Sequence, residues 1–408
     1  MRVVNKIAVL VSWPREIDMF SAFTEDILDN VVFIVDDLKY HTQDEKHENA
    51  KNIIELLGNG VDYVLLSDVL GKLKYKILLS TAQTLHEKVT YCSYLKYIYS
   101  VFIGNFIFFS GLSKFFLRVV GRSLVGDGKY AAKFGRYQIE RVIGMKVIKF
   151  PKGLDVSKLT YPDKQWKGAF DLYFCHSKID QDLITNKFSN AKCINIGYPR
   201  YDNLPSVKSA KNIINNEISG LDPLKPILLW ITTIIRYKDG LTDNNIRAWI
   251  PFTKKLLDEY NVIIRPHPKT LVINPRMAEE LTELGFLVDI KKGRNLGVLY
   301  QSVDLVLADY GGSVLSAIYM KKKLILLNMT GEYTYMRKKR MYIDSDVRDN
   351  VTTLNVENGV SLVDHVESVV QNNDKLIVNR LKKQYFGDEC SHKDIKKIAH
   401  NLVTELRV

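Results

Sequence analysis

Val303 to Asn328 reads VDLVLADYGGSVLSAIYMKKKLILLN. The apolar run Val303–Ala308 has the length and composition of a buried strand. Asp309-Tyr310-Gly311-Gly312-Ser313 then supplies a turn, Val314 to Met320 the periodicity of a helix opening on Ser313, and Leu324 to Leu327 a second strand. The unit is therefore strand, glycine turn, helix, strand. A helix start carries N–H groups with no intrahelical acceptor and the positive end of the helix dipole, which suits a phosphate. Paired glycines let the backbone approach that phosphate closely. The plain alternative is an ordinary tight turn between a strand and a helix.

Working outward, the same rhythm recurs on both sides. Pro226–Ile231 and Asn261–Arg265 read as strands, with a helix over Asn244–Tyr260 between them. Met277–Leu284, Phe286–Val288 and Leu296–Gln301 continue the alternation, and Leu376–Lys383 and His392–Val408 read as terminal helices. The N-terminal half has strands at Lys6–Ser12, Val31–Val35, Val61–Leu66 and Lys76–Leu79, then at Phe170–Phe174 and Lys192–Ile196. Strands alternating with helices predict parallel α/β sheets. The turn-rich stretch from Gly197 to Pro223 is the natural connection, giving domains at 1–204 and 205–385 and a last helix at 386–408. Two such halves imply a cleft with ligand groups at strand C-termini.

Composition narrows the function. The 408 residues include 46% hydrophobic residues, which supports large cores. Four scattered cysteines without CxxC spacing argue against zinc and disulfides. No cleavable leader is apparent at Met1–Leu10. The net charge of +12 favours anionic partners, yet no nucleic-acid motif accompanies it. The first strand lacks GxGxxG, which disfavours a dinucleotide dehydrogenase. HExxH, GxSxG and P-loop patterns are missing too.

Residues 91–120 are crowded with aromatics, and 17 uncharged residues separate Lys96 from Lys114. Residues 97–113 either pack in the core, lie in one leaflet, or span a bilayer, for which they are short. From Lys114 to Lys152 ten Lys/Arg face two acids, Asp127 and Glu140. Lys114, Arg118 and Arg122 recur every fourth residue beside Phe115, Phe116 and Val119, the pattern of an interfacial helix on anionic lipid. Residues 95–125 are thus the candidate membrane contact, and a solvated charged face is the alternative.

Candidate chemistry gathers at strand ends. His267 lies between Pro266 and Pro268, which fix its backbone, and it is suited to donating to phosphate or to acid–base work. Arg265 matches phosphate oxygens bidentately. Thr232, Thr233 and Arg236 follow the strand Pro226–Ile231, where hydroxyls also serve as helix caps. Asp127, in a glycine turn among cations, is either a general base or a charge-balanced turn residue.

Four motifs in order carry a resemblance: Gly197-Tyr-Pro-Arg-Tyr-Asp-Asn-Leu204, Arg265-Pro-His-Pro268, Asp304-Leu-Val-Leu-Ala-Asp-Tyr-Gly-Gly-Ser-Val314, and Glu332-Tyr333 with Arg340-Met-Tyr-Ile-Asp344. Together they resemble the CDP-glycerol glycerophosphotransferase family of teichoic-acid and capsule assembly, over roughly residues 170–405. The resemblance implies a GT-B fold, in which two Rossmann-like domains face a central cleft and the second holds the nucleotide-activated donor. It implies a peripheral enzyme at the cytoplasmic face of the cell membrane, with a CDP-polyol donor and a lipid-linked or cell-surface glycan acceptor. By motif position His267 contacts donor phosphates with Arg265 in support, and Gly311, Gly312 and Ser313 cradle them. Arg200, Asp309 and Glu332 join the donor-binding set through the other motifs.

The family's two serines fall on Gly311 and Gly312, Met341 stands where the family has glycine, and the N-terminal W-H-G-T segment has no counterpart. Asp127 is the candidate base in its place. A nucleotide-sugar glycosyltransferase on the same scaffold and a non-catalytic membrane-associated binding protein are the rival readings. Neither a metal nor a resident cofactor is expected.

Overall fold

Strands such as Val31–Val35 and Ile227–Ile231 are buried at every position. Continuous apolar runs of this kind fit parallel sheets with helices on both faces, where neither side of the strand meets water. The computed structural model describes residues 2–37, 43–81, 140, 143–151, 170–187, 189–202, 204–233, 235–237, 240–242, 244–291, 294–328, 347–371, 376–387 and 392–407. The aromatic segment 91–120, Asp127 and the Glu332–Asp344 motif lie outside the described residues. The chain divides into two units after Asp202, and the last helix, His392–Arg407, returns to the first.

The first unit holds β1 (Arg2–Val11), β2 (Val31–Val35), β3 (Tyr63–Leu65), β4 (Leu73–Ser80), β5 (Gly144–Lys149), β6 (Leu172–Cys175) and β7 (Cys193–Asn195). They form one parallel sheet in the order β3-β2-β1-β4-β5-β6-β7, so the strand order reverses between β1 and β4. Phe20, Phe23, Phe150 and Phe174 pack ring to ring on one face, with centroids 4.7–6.1 Å apart. The same core takes Ile395, Ala399, Leu402, Val403 and Leu406 from the C-terminal helix. That spacing is one helical face, and burying each large aliphatic there contributes about 1.5–3 kcal/mol. Lys146 adds an ion pair to Glu405 at 2.6 Å, and Lys396 one to Asp26 at 2.7 Å.

Strand β5 changes the reading of the basic tract 114–152. Its end is a sheet strand in which Val147 and Ile148 are buried, and Lys146 and Lys149 ride on it. Gly144 starts β5 against β4, where a Cβ would lie 2.7 Å from Leu78 Cβ, so only glycine permits that approach. The lysines interrupt the apolar run of β5 and conceal the strand.

The second unit holds β8 (Ile227–Ile231), β9 (Ile235–Tyr237), β10 (Gly240–Thr242), β11 (Asn261–Arg265), β12 (Leu287–Val288), β13 (Leu305–Ala308), β14 (Lys323–Asn328) and β15 (Thr353–Asn355). Six of them form a parallel sheet ordered β12-β11-β8-β13-β14-β15, while β9 and β10 make a small antiparallel hairpin. The expected helix over Asn244–Tyr260 is α-helical for Asn244–Thr253 and tightens to 3-10 over Lys254–Asp258. Trp230, Trp249, Tyr260, Phe286 and Tyr310 fill the core on one side of this sheet. Strand order reverses between β8 and β13, which sets the loops leaving those two strands beside each other.

Candidate active site

Ile231 pairs in register with both Arg265 and Ala308, so β8, β11 and β13 end on one edge of the second sheet. Thr232-Thr233, Pro266-His267 and the Asp309–Ser313 turn therefore leave from neighbouring strands. In this unit the structure brings together Thr232, Thr233, Arg265, His267, Asp309, Gly311, Gly312 and Ser313.

The glycine turn is built around Gly311, at φ 86 and ψ −152. Only glycine adopts that backbone without strain, and it aims the helix Gly312–Tyr319 out of the sheet. A Cβ at Gly312 meets nothing within 4 Å and the residue has ordinary backbone angles, so space and conformation there accept a side chain. Ser313 Oγ donates to the Tyr310 carbonyl at 3.3 Å, and Tyr300 Oη donates to the Ser313 carbonyl at 3.0 Å. Tyr300 thus braces the first turn from the core side.

His267 caps the short helix Pro268–Ile273, with Nδ1 accepting from the Lys269 N–H at 3.1 Å. An accepting Nδ1 places the proton of the neutral ring on Nε2. The half-buried imidazole is therefore oriented as an Nε2–H donor. Arg265 is not aimed outward as a phosphate fork. Its Nη1 lies 2.6 Å from Asp289 Oδ2 and its Nη2 donates to the Lys291 carbonyl at 3.3 Å. Asp289 is buried and also holds Arg294, whose Nε is 2.7 Å away. Arg265 thus stiffens the end of β11 beneath His267. Asp289 sits 24 residues along the chain, beyond the reach of any local pattern.

Asp309 also turns inward, and is 2% exposed. Its carboxylate accepts the Thr233 N–H at 2.8 and 3.0 Å, its own neighbour's Tyr310 N–H at 2.7 Å, and the Asn245 side-chain amide. The Asn245 amide also donates to the Thr233 carbonyl at 2.8 Å. Burial pushes the Asp309 carboxyl up to about 6, against the hydrogen bonds and the Arg348 charge that lower it. Arg348 donates to the Asp309 carbonyl, reaches Asn328 Oδ1 at 2.6 Å, and lies 4.3 Å over the Tyr310 ring. Thr232 is buried, and its Oγ1 has no hydrogen-bond partner among the described residues. Asn245 and Arg348 belong to no motif in the sequence, and the hydrogen bonds that tie them to Asp309 span 64 and 39 residues.

The remaining candidates fall elsewhere. Asp127 and Glu332 lie outside the described residues, and of Arg236 only its backbone place in β9 is described. Arg200 lies in the first unit, in the helical turn Pro199–Asp202 after β7. There its side chain is 12% exposed, with Nη2 3.1 Å from Asp18 Oδ2. The motif turn is supported from below by His176, which is buried with Nδ1 2.7 Å from the Gly197 carbonyl and stacks edge-on against Tyr198. Desolvation drives the His176 pKa down to about 3, so the ring is neutral.

Two doubly wound parallel units, the second with a glycine turn at its switch point and an oriented histidine at the end of the neighbouring strand β11, give a GT-B-type α/β fold. The chain belongs to the CDP-glycerol:poly(glycerophosphate) glycerophosphotransferase family, with the match spanning residues 152–400. Among solved structures it is similar to the wall teichoic acid polymerase TagF at 11% identity, with a TM-score of 0.59 over 99% of this chain and 90% of that one. A TagF variant soaked with CDPG for 30 minutes gives 12% identity and a TM-score of 0.61, with coverage of 99% and 90%. A UDP-N-acetylglucosamine 2-epimerase follows at 10% identity and a TM-score of 0.51, covering 99% and 96%. At such identities these likenesses establish the fold. No curated protein matches the chain.

Proposed function

We propose that this transferase moves a glycerol-phosphate or similar polyol-phosphate group from a CDP-activated donor to a hydroxyl of a lipid-linked or cell-surface glycan. The observation that carries this reading is His267, held as an Nε2–H donor on the same sheet edge as the glycine turn in a chain of this family. The acceptor oxygen forms a bond to the phosphorus that bears the polyol, the bond from that phosphorus to the bridging oxygen breaks, and CMP leaves. His267 and the helix starting at Gly312 stabilise the charge that develops on the phosphate oxygens. Arg265, anchored on Asp289, stiffens the end of β11 that carries His267. Asp127 is the proposed base for the acceptor proton.

The enzyme works at the cytoplasmic face of the membrane, attached peripherally through residues 95–125. Among the described residues no helix is long and apolar enough to cross a bilayer. Co-sedimentation with vesicles containing anionic lipid tests the attachment, and failure to bind refutes it. No metal is needed for donor binding, so activity survives EDTA.

A nucleotide-sugar donor is the second reading, favoured by glycines where the family keeps two serines. Turnover of CDP-glycerol and other CDP-polyols against UDP-, GDP- and CMP-sugars, with products identified by mass spectrometry, decides between them. The non-catalytic alternative requires that His267→Ala leave function in cells intact.

A further inference from the structure

The loops that leave β8 and β13 carry Thr232-Thr233 and the glycine turn, and in a doubly wound sheet these flank the ligand. The Asp309 side chain crosses between them. The Asp309 carboxylate takes the Thr233 N–H with both oxygens and the Asn245 amide with one, while Asn245 holds the Thr233 carbonyl. Both polar groups of the Thr233 backbone are thus fixed by Asp309 and Asn245. On the far side Arg348 donates to the backbone carbonyl of Asp309 and covers the Tyr310 ring. At 2% exposure each, Asp309 and Asn245 are out of reach of a ligand in the cleft of their own sheet edge.

We propose that Asp309, Asn245 and Arg348 form a clamp that sets the distance between the Thr232-Thr233 loop and the glycine turn. They are positioning residues that determine donor affinity without touching the donor. The inference rests on the reading of the glycine turn as the donor phosphate site, and it moves Asp309 from that binding set into its support.

The clamp depends on an acceptor with no proton on it. A protonated carboxyl offers one good acceptor and one donor to a set of three incoming N–H groups, so the grip on Thr233 loosens. Arg348 is the charged group that faces Asp309. The helix Asn244–Thr253 contributes the neutral Asn245 amide and the loop after β8 the Thr233 N–H, and no other titratable group among the described residues bonds to it. Donor affinity therefore falls on acidification as Asp309 takes up its proton, at about pH 6.

The test compares Asp309→Asn and Asn245→Ala with wild type by three measurements. Hydrogen exchange at the Thr233 and Tyr310 amides reads the clamp directly, and needs no donor. Steady-state kinetics with CDP-glycerol gives KM and kcat, and the pH profile of kcat/KM gives the acid limb. We expect faster exchange at Thr233 in both variants with β11 protection retained. Donor KM rises about tenfold or more, the loss of one hydrogen bond to a charged acceptor, and kcat changes far less. The acid limb near pH 6 disappears in Asp309→Asn. Asn245→Ala keeps the carboxylate and guards against a fold that fails in the first variant.

Raised KM with unchanged exchange at Thr233 overturns the proposal, because Asp309 then touches the donor. Faster exchange with KM and acid limb unchanged overturns it as well, leaving only a strut of the fold. A wild-type enzyme that turns over no CDP-polyol refutes the functional reading instead, and exchange at Thr233 then decides the clamp alone.

Discussion

Asp309→Asn has an expected effect on stability opposite in sign to its effect on the site. Burial holds the folded-state carboxyl near 6, against 3.8 for the ordinary group. Between those values the folded protein binds the proton that the unfolded chain has released. Folding is therefore favoured below the ordinary pKa, and that advantage is lost as pH rises through the folded value. Above about pH 6 the protein carries an ionised, buried carboxylate at a cost of about 3 kcal/mol relative to the protonated form. Asparagine imitates the protonated carboxyl at every pH. Urea unfolding at pH 8 should show Asp309→Asn more stable than wild type by up to about 3 kcal/mol, the gap closing as the pH is lowered to about 4. The same protein should bind its donor more weakly. A variant less stable than wild type at pH 8 would refute the reasoning, because the carboxylate would then be an anchor of the fold and not a cost borne for the site.

His267→Ala should lower kcat by roughly 10²–10³-fold with folding intact, checked by single-turnover kinetics and thermal melting. Gly311→Ala should cost about 1–3 kcal/mol, because alanine must adopt a φ of 86, whereas Gly312→Ser should leave the unfolding midpoint unchanged. Asp289→Ala should destabilise the second unit by about 3 kcal/mol in chemical denaturation, since Arg265 loses its buried anion while Arg294 keeps Glu217. Dialysis against EDTA should leave turnover at its starting rate, and loss that Mg²⁺ restores would contradict the metal-free reading.

Much of the fold was legible because its strands are short apolar runs with sharp ends. Asn261–Arg265 is a strand over the residues the pattern picked out, and Val31–Val35 likewise. Strand β5 and the hairpin β9-β10 were not, since lysines interrupt the one and the other is three residues a side. At the site, sequence spacing located the right strand ends, because motif residues fall where chain direction changes. It could not say which way side chains turn. Arg265 and Asp309 both look like ligands on paper, and both face partners far away in the chain: Asp289 for the first, Asn245 and Thr233 for the second. Long-range pairing of this kind leaves no periodic trace.

The two glycines that depart from the family pattern are not equivalent. Gly311 follows from geometry: with φ at 86, the chain leaves β13 and enters the helix through a conformation that excludes a serine there. Gly312 has no such constraint, for a Cβ there meets nothing within 4 Å. The first departure therefore belongs to the turn's path and the second to the ligand. If the donor is the family's CDP-polyol, Gly312→Ser restores a hydroxyl to the cradle, and donor KM should fall or hold. A larger group in that open space, such as a sugar, should instead be excluded by the new side chain, and KM should rise. Measuring that one variant against CDP-glycerol and a nucleotide sugar thus reads the donor class from a position the fold itself leaves free.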